Sequence, residues 1–172
     1  DWNDKMTLSM NNFDLGLISG FLSNTLPDFS GLLSGEAMLS RKNGKYGIEA
    51  DVVCENTHFN NYDMGTLLIS SEWDEDLKRY NFLIDNSYNS APTFELGASY
   101  SPFSDDFFVS GDFNQFEIGV ASYFVKDIFH QLNGELSGLV TANGNIRNIR
   151  DMKLASYSLK VARAKLGLEY TK

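Results

Sequence analysis

Apolar and polar residues take turns along most of this chain with a period of two. Tyr46, Ile48, Ala50, Val52 and Cys54 alternate with Gly47, Glu49, Asp51, Val53 and Glu55. Leu33, Gly35, Ala37 and Leu39 alternate with Ser34, Glu36, Met38 and Ser40. The same rhythm places Phe94, Leu96, Ala98 and Tyr100 on one side of a strand, and Leu136, Gly138, Val140 and Ala142 on one side of another. Tyr80, Phe82 and Ile84 make a shorter run, and Ala162, Ala164, Leu166, Leu168 and Tyr170 a final one. Successive side chains of a strand point to opposite faces, so each run predicts a half-buried β-strand. Turn signals separate the runs. Lys42-Asn-Gly-Lys45 has the hairpin Asn-Gly pair, and Trp73–Arg79 reads as a charged tip. The polar stretches 56–63, 85–90, 101–106 and 143–148 read as loops or strand ends.

Two segments leave the alternation for helical spacing. Ile18, Phe21 and Leu22 form one, with Pro27 as its stop; Ala121, Phe124, Val125, Ile128 and Phe129 form the other. Their positions correspond, because the chain repeats itself at a constant offset of 103 residues. Asn11, Phe13, Gly16, Ser19, Phe21, Gly31, Ser34 and Gly35 recur as Asn114, Phe116, Gly119, Ser122, Phe124, Gly134, Ser137 and Gly138. Asp14/Glu117, Leu15/Ile118, Leu17/Val120 and Leu22/Val125 are conservative pairs. A long internal repeat predicts an elongated, stacked architecture. Residues 1–112 form the first β repeat and 113–172 a second, shorter one within one continuous domain.

Composition narrows the function. A chain of 172 residues with 42% hydrophobic residues can bury a sizeable core. The net charge of −9 argues against nucleic acid and against electrostatic docking on anionic lipid. A single cysteine, Cys54, excludes an intrachain disulfide, and its place in the apolar phase of a strand reads as a small buried hydrophobe. No apolar run reaches the eighteen residues of a transmembrane helix, and there is no signal peptide. The chain opens at Asp1 rather than Met, which reads as an excised or processed piece. Candidate chemistry is sparse. His58 and His130 lack metal-ligand spacing, Asp74, Glu75 and Asp76 read as a solvated turn, and Asp105-Asp106 as another. The Gly31-x-x-x-Gly35 and Gly134-x-x-x-Gly138 pairs are not phosphate loops, because no Lys-Ser/Thr follows. In strands such glycines mark bends or close backbone approach. Catalytic residues, metals and cofactors are therefore expected to be absent.

The repeated unit has a recognisable form: apolar strand, short helix, then Leu-x-Gly-x-x-x-Gly and further alternating strands. Its clearest instance is Leu132-Asn-Gly-Glu-Leu-Ser-Gly-Leu-Val-Thr-Ala-Asn-Gly144, continuing to Val161-Ala-Arg-Ala-Lys-Leu-Gly-Leu-Glu-Tyr-Thr171. Met64-Gly-Thr-Leu-Leu-Ile-Ser-Ser-Glu-Trp73 adds a glycine-led strand ending in Trp-Asp. Over most of residues 10–172 this resembles the C-terminal region of the TamB family, the AsmA-like translocation and assembly module proteins of Gram-negative bacteria, in the form found in Bacteroidetes. One departure is that Ile149-Arg-Asp-Met-Lys153 carries neither the Pro nor the Gly that the family places there.

The resemblance implies a non-enzymatic, periplasmic segment of a protein held in the inner membrane by a helix outside this chain. It implies an elongated, folded-over open sheet, a β-taco, whose apolar groove takes lipid acyl chains or outer-membrane protein strands. The implied partners are phospholipid or another lipid and an outer-membrane barrel of the TamA type. The residues expected to line the groove are Leu33, Ala37, Leu39, Ile48, Ala50, Val52, Phe94, Leu96, Leu136, Val140, Ala142, Ala164 and Leu166. Each methylene buried on such a surface contributes about 0.8 kcal/mol. In the excised fragment, free sheet edges could also pair two chains edge to edge into a dimer. The rival readings are a cell-surface scaffold or adhesion module whose apolar faces pack into a closed core, a polysaccharide lyase on a β-helix, and a piece of membrane barrel. The lyase lacks a cluster of Asp, Lys or Arg on one strand face. The barrel is opposed by the charges on the outward phases.

Overall fold

A computed structural model describes residues 4–18, 28–42, 45–120 and 129–168. They are mostly β, as the alternation predicts, and form a single open antiparallel sheet. The strands are β1 (Asp4–Asp14), β2 (Phe29–Lys42), β3 (Lys45–Phe59), β4 (Tyr62–Asp74), β5 (Arg79–Tyr88), β6 (Ala91–Tyr100), β7 (Asp106–Glu117), β8 (Phe129–Asn145) and β9 (Lys153–Leu168). They lie side by side in chain order, each paired with the next. A 3-10 turn, Ile146–Asp151, joins the last two.

Hairpin connections this tight need left-handed backbone, and Asn60, Lys78, Asn89 and Ser90 supply it, with φ of 52°, 51°, 50° and 62°. Asn tolerates that region because its short side chain hydrogen-bonds locally. At the β4–β5 tip the Asp74 carboxylate accepts the backbone N–H groups of Asp76 and Leu77 at 3.0 and 2.9 Å, so this turn carboxylate is structural. Asp105 does similar work between elements: it accepts from the Tyr100 hydroxyl at 3.1 Å and pairs with Arg147 at 2.5 Å, tying the β6–β7 loop to the 3-10 turn.

The repeat proves to be a repeat of backbone devices. β1–β2 corresponds to β7–β8. In the first pair the register slips between Met10 and Phe13, and Asn12 takes φ of 51°. In the second it slips between Phe113 and Phe116, and Gln115 takes φ of 52°. The backbone N–H that each bulge frees is captured by the serine across the ladder. Asn12 N donates to Ser34 Oγ and Gln115 N to Ser137 Oγ, both at 2.9 Å. A bulge leaves an orphan donor and bends its strand; the repeated serine satisfies the donor. Just beyond, Phe13 faces Leu33 and Phe116 faces Leu136. The repeated glycines are equally specific. Gly35 and Gly138 adopt φ of 129° and 121°, and a Cβ on either would lie 2.2 Å from Asp51 O or 2.6 Å from Ser158 O.

Several expectations need correction. Stretches 56–63 and 85–90 are strand for most of their length: β3 runs to Phe59 and β5 to Tyr88, leaving only short turns. Their Asn and Ser residues serve the bulge at Asn56 and the hairpin turns without ending the strands. Phe129, placed in the second helix by spacing, opens β8. Helical turns do begin at 16–18 and 118–120, but the remainder of both predicted helices, the Asn43-Gly44 turn and the side chain of His130 lie outside the described residues. The repeat boundary expected at 112/113 falls within β7, Asp106–Glu117. Finally, Ala162 does not share a face with Ala164. A bulge at Arg163, with φ of 53°, shifts the phase, so that Val161 faces Leu136 while Ala162 faces Glu135.

Candidate functional site: an apolar register face

Directly opposed residues in an antiparallel ladder share a face, so the registers trace one surface from edge to edge. It starts with Met6, Leu8, Met10 and Phe13 against Leu39, Ala37, Gly35 and Leu33. It passes through Ile48, Ala50, Val52 and Cys54, then Leu67 and Ile69, then Phe82 and Ile84. Phe94, Leu96 and Ala98 carry it to Phe113, Gly111 and Val109. Gly138, Val140 and Ala142 carry it to Ser156 and Leu154, with Leu136 facing Val161. All thirteen residues expected to line a groove fall on this register face. Ala164 and Leu166 join it because Leu132 faces Leu166; the side chain of Leu166 itself lies outside the described set.

Burial along this face is uneven. Val52, Cys54 and Leu67 are buried, and the central strands are half-buried. Toward the edges Leu8, Leu154 and Val161 are 50%, 66% and 51% exposed. Among the described residues the close backbone approaches run mainly between adjacent strands of the same sheet. Phe94, Phe113 and Phe116 form an aromatic cluster on the floor, with ring centroids 5.2–6.3 Å apart.

At one end the face inverts. The β3–β4 ladder stops at Ala50 and Ser71, and the Ser71 hydroxyl donates to Ile48 O at 2.9 Å. Beyond that point Tyr80 of β5 lies against Gly47 and Ser40, where a Cβ on residue 47 would be 1.5 Å from the phenol oxygen. In a flat sheet β5 and β2 are three spacings apart, about 14 Å; this contact therefore requires the sheet to fold across β3–β4. Ser40 and Tyr80 are consequently buried at 1% and 2%, whereas Leu39 and Ile48 are turned outward. These two belong to the register face but not to its sheltered part. The Tyr80 phenol is held above its ordinary pKa by burial. Burial likewise pushes the Cys54 thiol up, against a smaller opposite pull from Thr57. The thiol is thus an apolar filler beside Gly31, where a Cβ would lie 2.6 Å from Sγ.

The opposite face is polar and acidic. Glu36 faces Asp51, and Asp85, Glu95 and Asp112 stand in one row across three strands. Asp85, Glu95 and Asp112, with Asn114, Leu68 and Pro92, line a recess of about 410 Å³. β9 reverses the sign: Lys153, Lys160 and Lys165 occupy the polar face there, and Arg163 pairs with Glu135 at 2.9 Å. Asn86, on the apolar register face between Leu67 and Phe94, is a buried polar group at 3% exposure. Its amide donates to Met64 O and Thr66 O at 2.7 and 3.1 Å, carbonyls beside the kink at Gly65, and its oxygen accepts from the Thr93 hydroxyl. His58 is half-exposed, with Nδ1 3.0 Å from Asn56 O and Nε2 4.0 Å from Asp63. Among the described residues no three His, Cys, Asp or Glu side chains converge as a metal site.

Sequence reasoning missed much of the face. Met6, Leu8 and Met10 of β1 went unread because the bulge at Asn12 ends their alternation early. Leu67 and Ile69 were hidden by Leu68 between them, and Phe107 and Val109 by Phe108. Continuity of register is the signal that recovers them.

No family model, curated protein or solved structure matches this chain.

Proposed function

We propose that this chain is a non-enzymatic segment of a TamB-like periplasmic bridge, and that its apolar face carries lipid acyl chains or transient outer-membrane protein strands. The observation behind this reading is the apolar register face itself, which continues from strand to strand across the single open sheet of the described residues. A monomeric soluble protein seldom leaves a contiguous apolar patch beyond a few hundred Å² unless it binds something. Small residues on the face, Ala37 and Ala142, leave depth for a chain to lie against the backbone. No polar recognition is needed, since an acyl chain of about fifteen methylenes gains on the order of 10 kcal/mol from transfer before ordering costs. The parent would be anchored in the inner membrane and meet an outer-membrane barrel of the TamA type.

A photo-reactive amino acid at Val140 or Ala50, irradiated in cells, tests the assignment. Adducts of phospholipid mass are expected there and not at Ser110 or Asp112 on the polar face. Equal labelling of both faces, or labelling of neither together with lipid-free protein by native mass spectrometry, would sink the lipid reading.

A further inference from the structure

We infer that the seam between β3 and β4 is a strand-acceptor site, and that it takes an extended segment of another polypeptide, apolar opposite Tyr46 and Ile48 and cationic opposite Glu49. The seam is internal to the sheet. As far as Ala50 and Ser71 the two strands pair; past that point β3 stays with β2, β4 stays with β5, and the two part from each other. One carbonyl marks the parting. Ile48 O, which a backbone N–H of β4 would reach in a continued ladder, accepts the Ser71 hydroxyl at 2.9 Å instead. The N–H and C=O of one strand residue point the same way, and that direction recurs every second residue. Ile48 and Tyr46 therefore aim their main-chain groups into the seam, while Gly47 and Glu49 aim theirs at β2.

The chain's own β4 is kept out of this seam. Continuing the register would set Glu49 directly opposite Glu72, and opposed like charges destabilise a ladder. Tyr80 also holds the strands apart: its ring lies on Gly47 and Ser40, and all three residues are buried. The edge left open is apolar. Tyr46 and Ile48 are 63% and 45% exposed, and Tyr46-Gly47-Ile48 carries no charge. An uncharged, apolar edge with outward main-chain groups is what recruits an added strand.

The occupant's chemistry follows from the register. Directly opposed residues share a face, so the residues opposite Tyr46 and Ile48 extend the apolar face and the residue opposite Glu49 stands on the acidic one. A lysine or arginine there supplies the charge match that Glu72 does not. At the other end Lys45 favours a carboxylate. Only residues 45–49 of β3 lie beyond the paired ladder, so the two flanking charges select which sequence fits. The site is an edge within the sheet, and the inference stands whether or not the apolar face carries lipid.

The probe is the end-blocked peptide Lys-Val-Thr-Val-Glu. In an antiparallel ladder it sets its Lys opposite Glu49, its two Val opposite Ile48 and Tyr46, and its Glu opposite Lys45. Titrated into the intact chain at millimolar concentration and followed by NMR, it should bind saturably and slow exchange of the Tyr46 and Ile48 amide protons. N-methylation of both Val removes the donors that the Ile48 and Tyr46 carbonyls need, and should abolish binding. Glu49→Lys should weaken binding by roughly tenfold or more, with amide shifts away from the seam unchanged. No binding, equal binding of the N-methylated peptide, unprotected Tyr46 and Ile48 amides in the complex, or full affinity in Glu49→Lys would each overturn the inference. So would a close Hα–Hα contact between Glu49 and Glu72 in the free chain, the mark of a seam closed by its own strand.

Discussion

Gly35 and Gly97 occupy similar mid-strand positions, yet their replacement by alanine should move stability in opposite directions. Gly35 sits at φ of 129°, where an L-side chain is strained, and a Cβ there would lie 2.2 Å from Asp51 O and 2.8 Å from Val52 Cα. Both neighbours are backbone, so neither can swing aside. Backbone strain of about 1–3 kcal/mol and overpacking of similar size together predict a loss of roughly 3 kcal/mol for Gly35→Ala. Gly97 has nothing within 4 Å of its would-be Cβ. Alanine there removes only unfolded-chain entropy, so a gain of about 0.5 kcal/mol is expected. Urea unfolding followed by circular dichroism reads both. With a slope of about 1–3 kcal/mol per molar, Gly35→Ala should lower the midpoint by 1 M or more, and Gly97→Ala should raise it slightly. Gly138→Ala should repeat the Gly35 result, because its Cβ would lie 2.6 Å from Ser158 O. Equal shifts at Gly35 and Gly97 would refute the argument from close backbone approach.

Two further expectations follow from the same structure. Ser34→Ala and Ser137→Ala each strip the acceptor from a bulge N–H and should cost about 1 kcal/mol apiece; the double variant should show additive losses, because the two bulges share no partner. Cys54, Tyr80 and Tyr100 all have pKa values raised by burial, so the folded state favours their neutral forms. Their stabilisation is complete below the ordinary thiol value of 9.0 and is lost as pH rises through the elevated folded values. The thermal midpoint should therefore fall above pH 9, and Cys54→Ala and Tyr80→Phe should each flatten that fall.

Strands were legible where side-chain phase is clean. Tyr46 to Cys54 is a strand in sequence and structure alike, because its apolar positions fall every second residue and its partners on both sides keep the same phase. What stayed hidden was hidden by bulges. One added residue at Asn12 or Arg163 reverses which side faces in, and no local pattern announces it. The thirteen lining positions share a register face because most of them lie between bulges. Leu39 and Ile48 show the limit of such reasoning. Their phase is right, but the fold across β3–β4 turns that end of the ribbon around, and the decisive contact, Tyr80 against Gly47, comes from a strand more than thirty residues away. The repeated Ser34 and Ser137 were visible as identities, but their task depends on the bulge they face.

The repeated bulge and its serine separate two dimensions of the molecule. Strand length sets how wide the sheet is. The number of copied units sets how far it extends: a 103-residue step advances from β1 to β7, six strand spacings, or about 29 Å. Duplicating one unit would lengthen the surface by that amount, and would copy its bends at the same phase. The length of such a sheet can be set by counting modules, with no redesign of its cross-section.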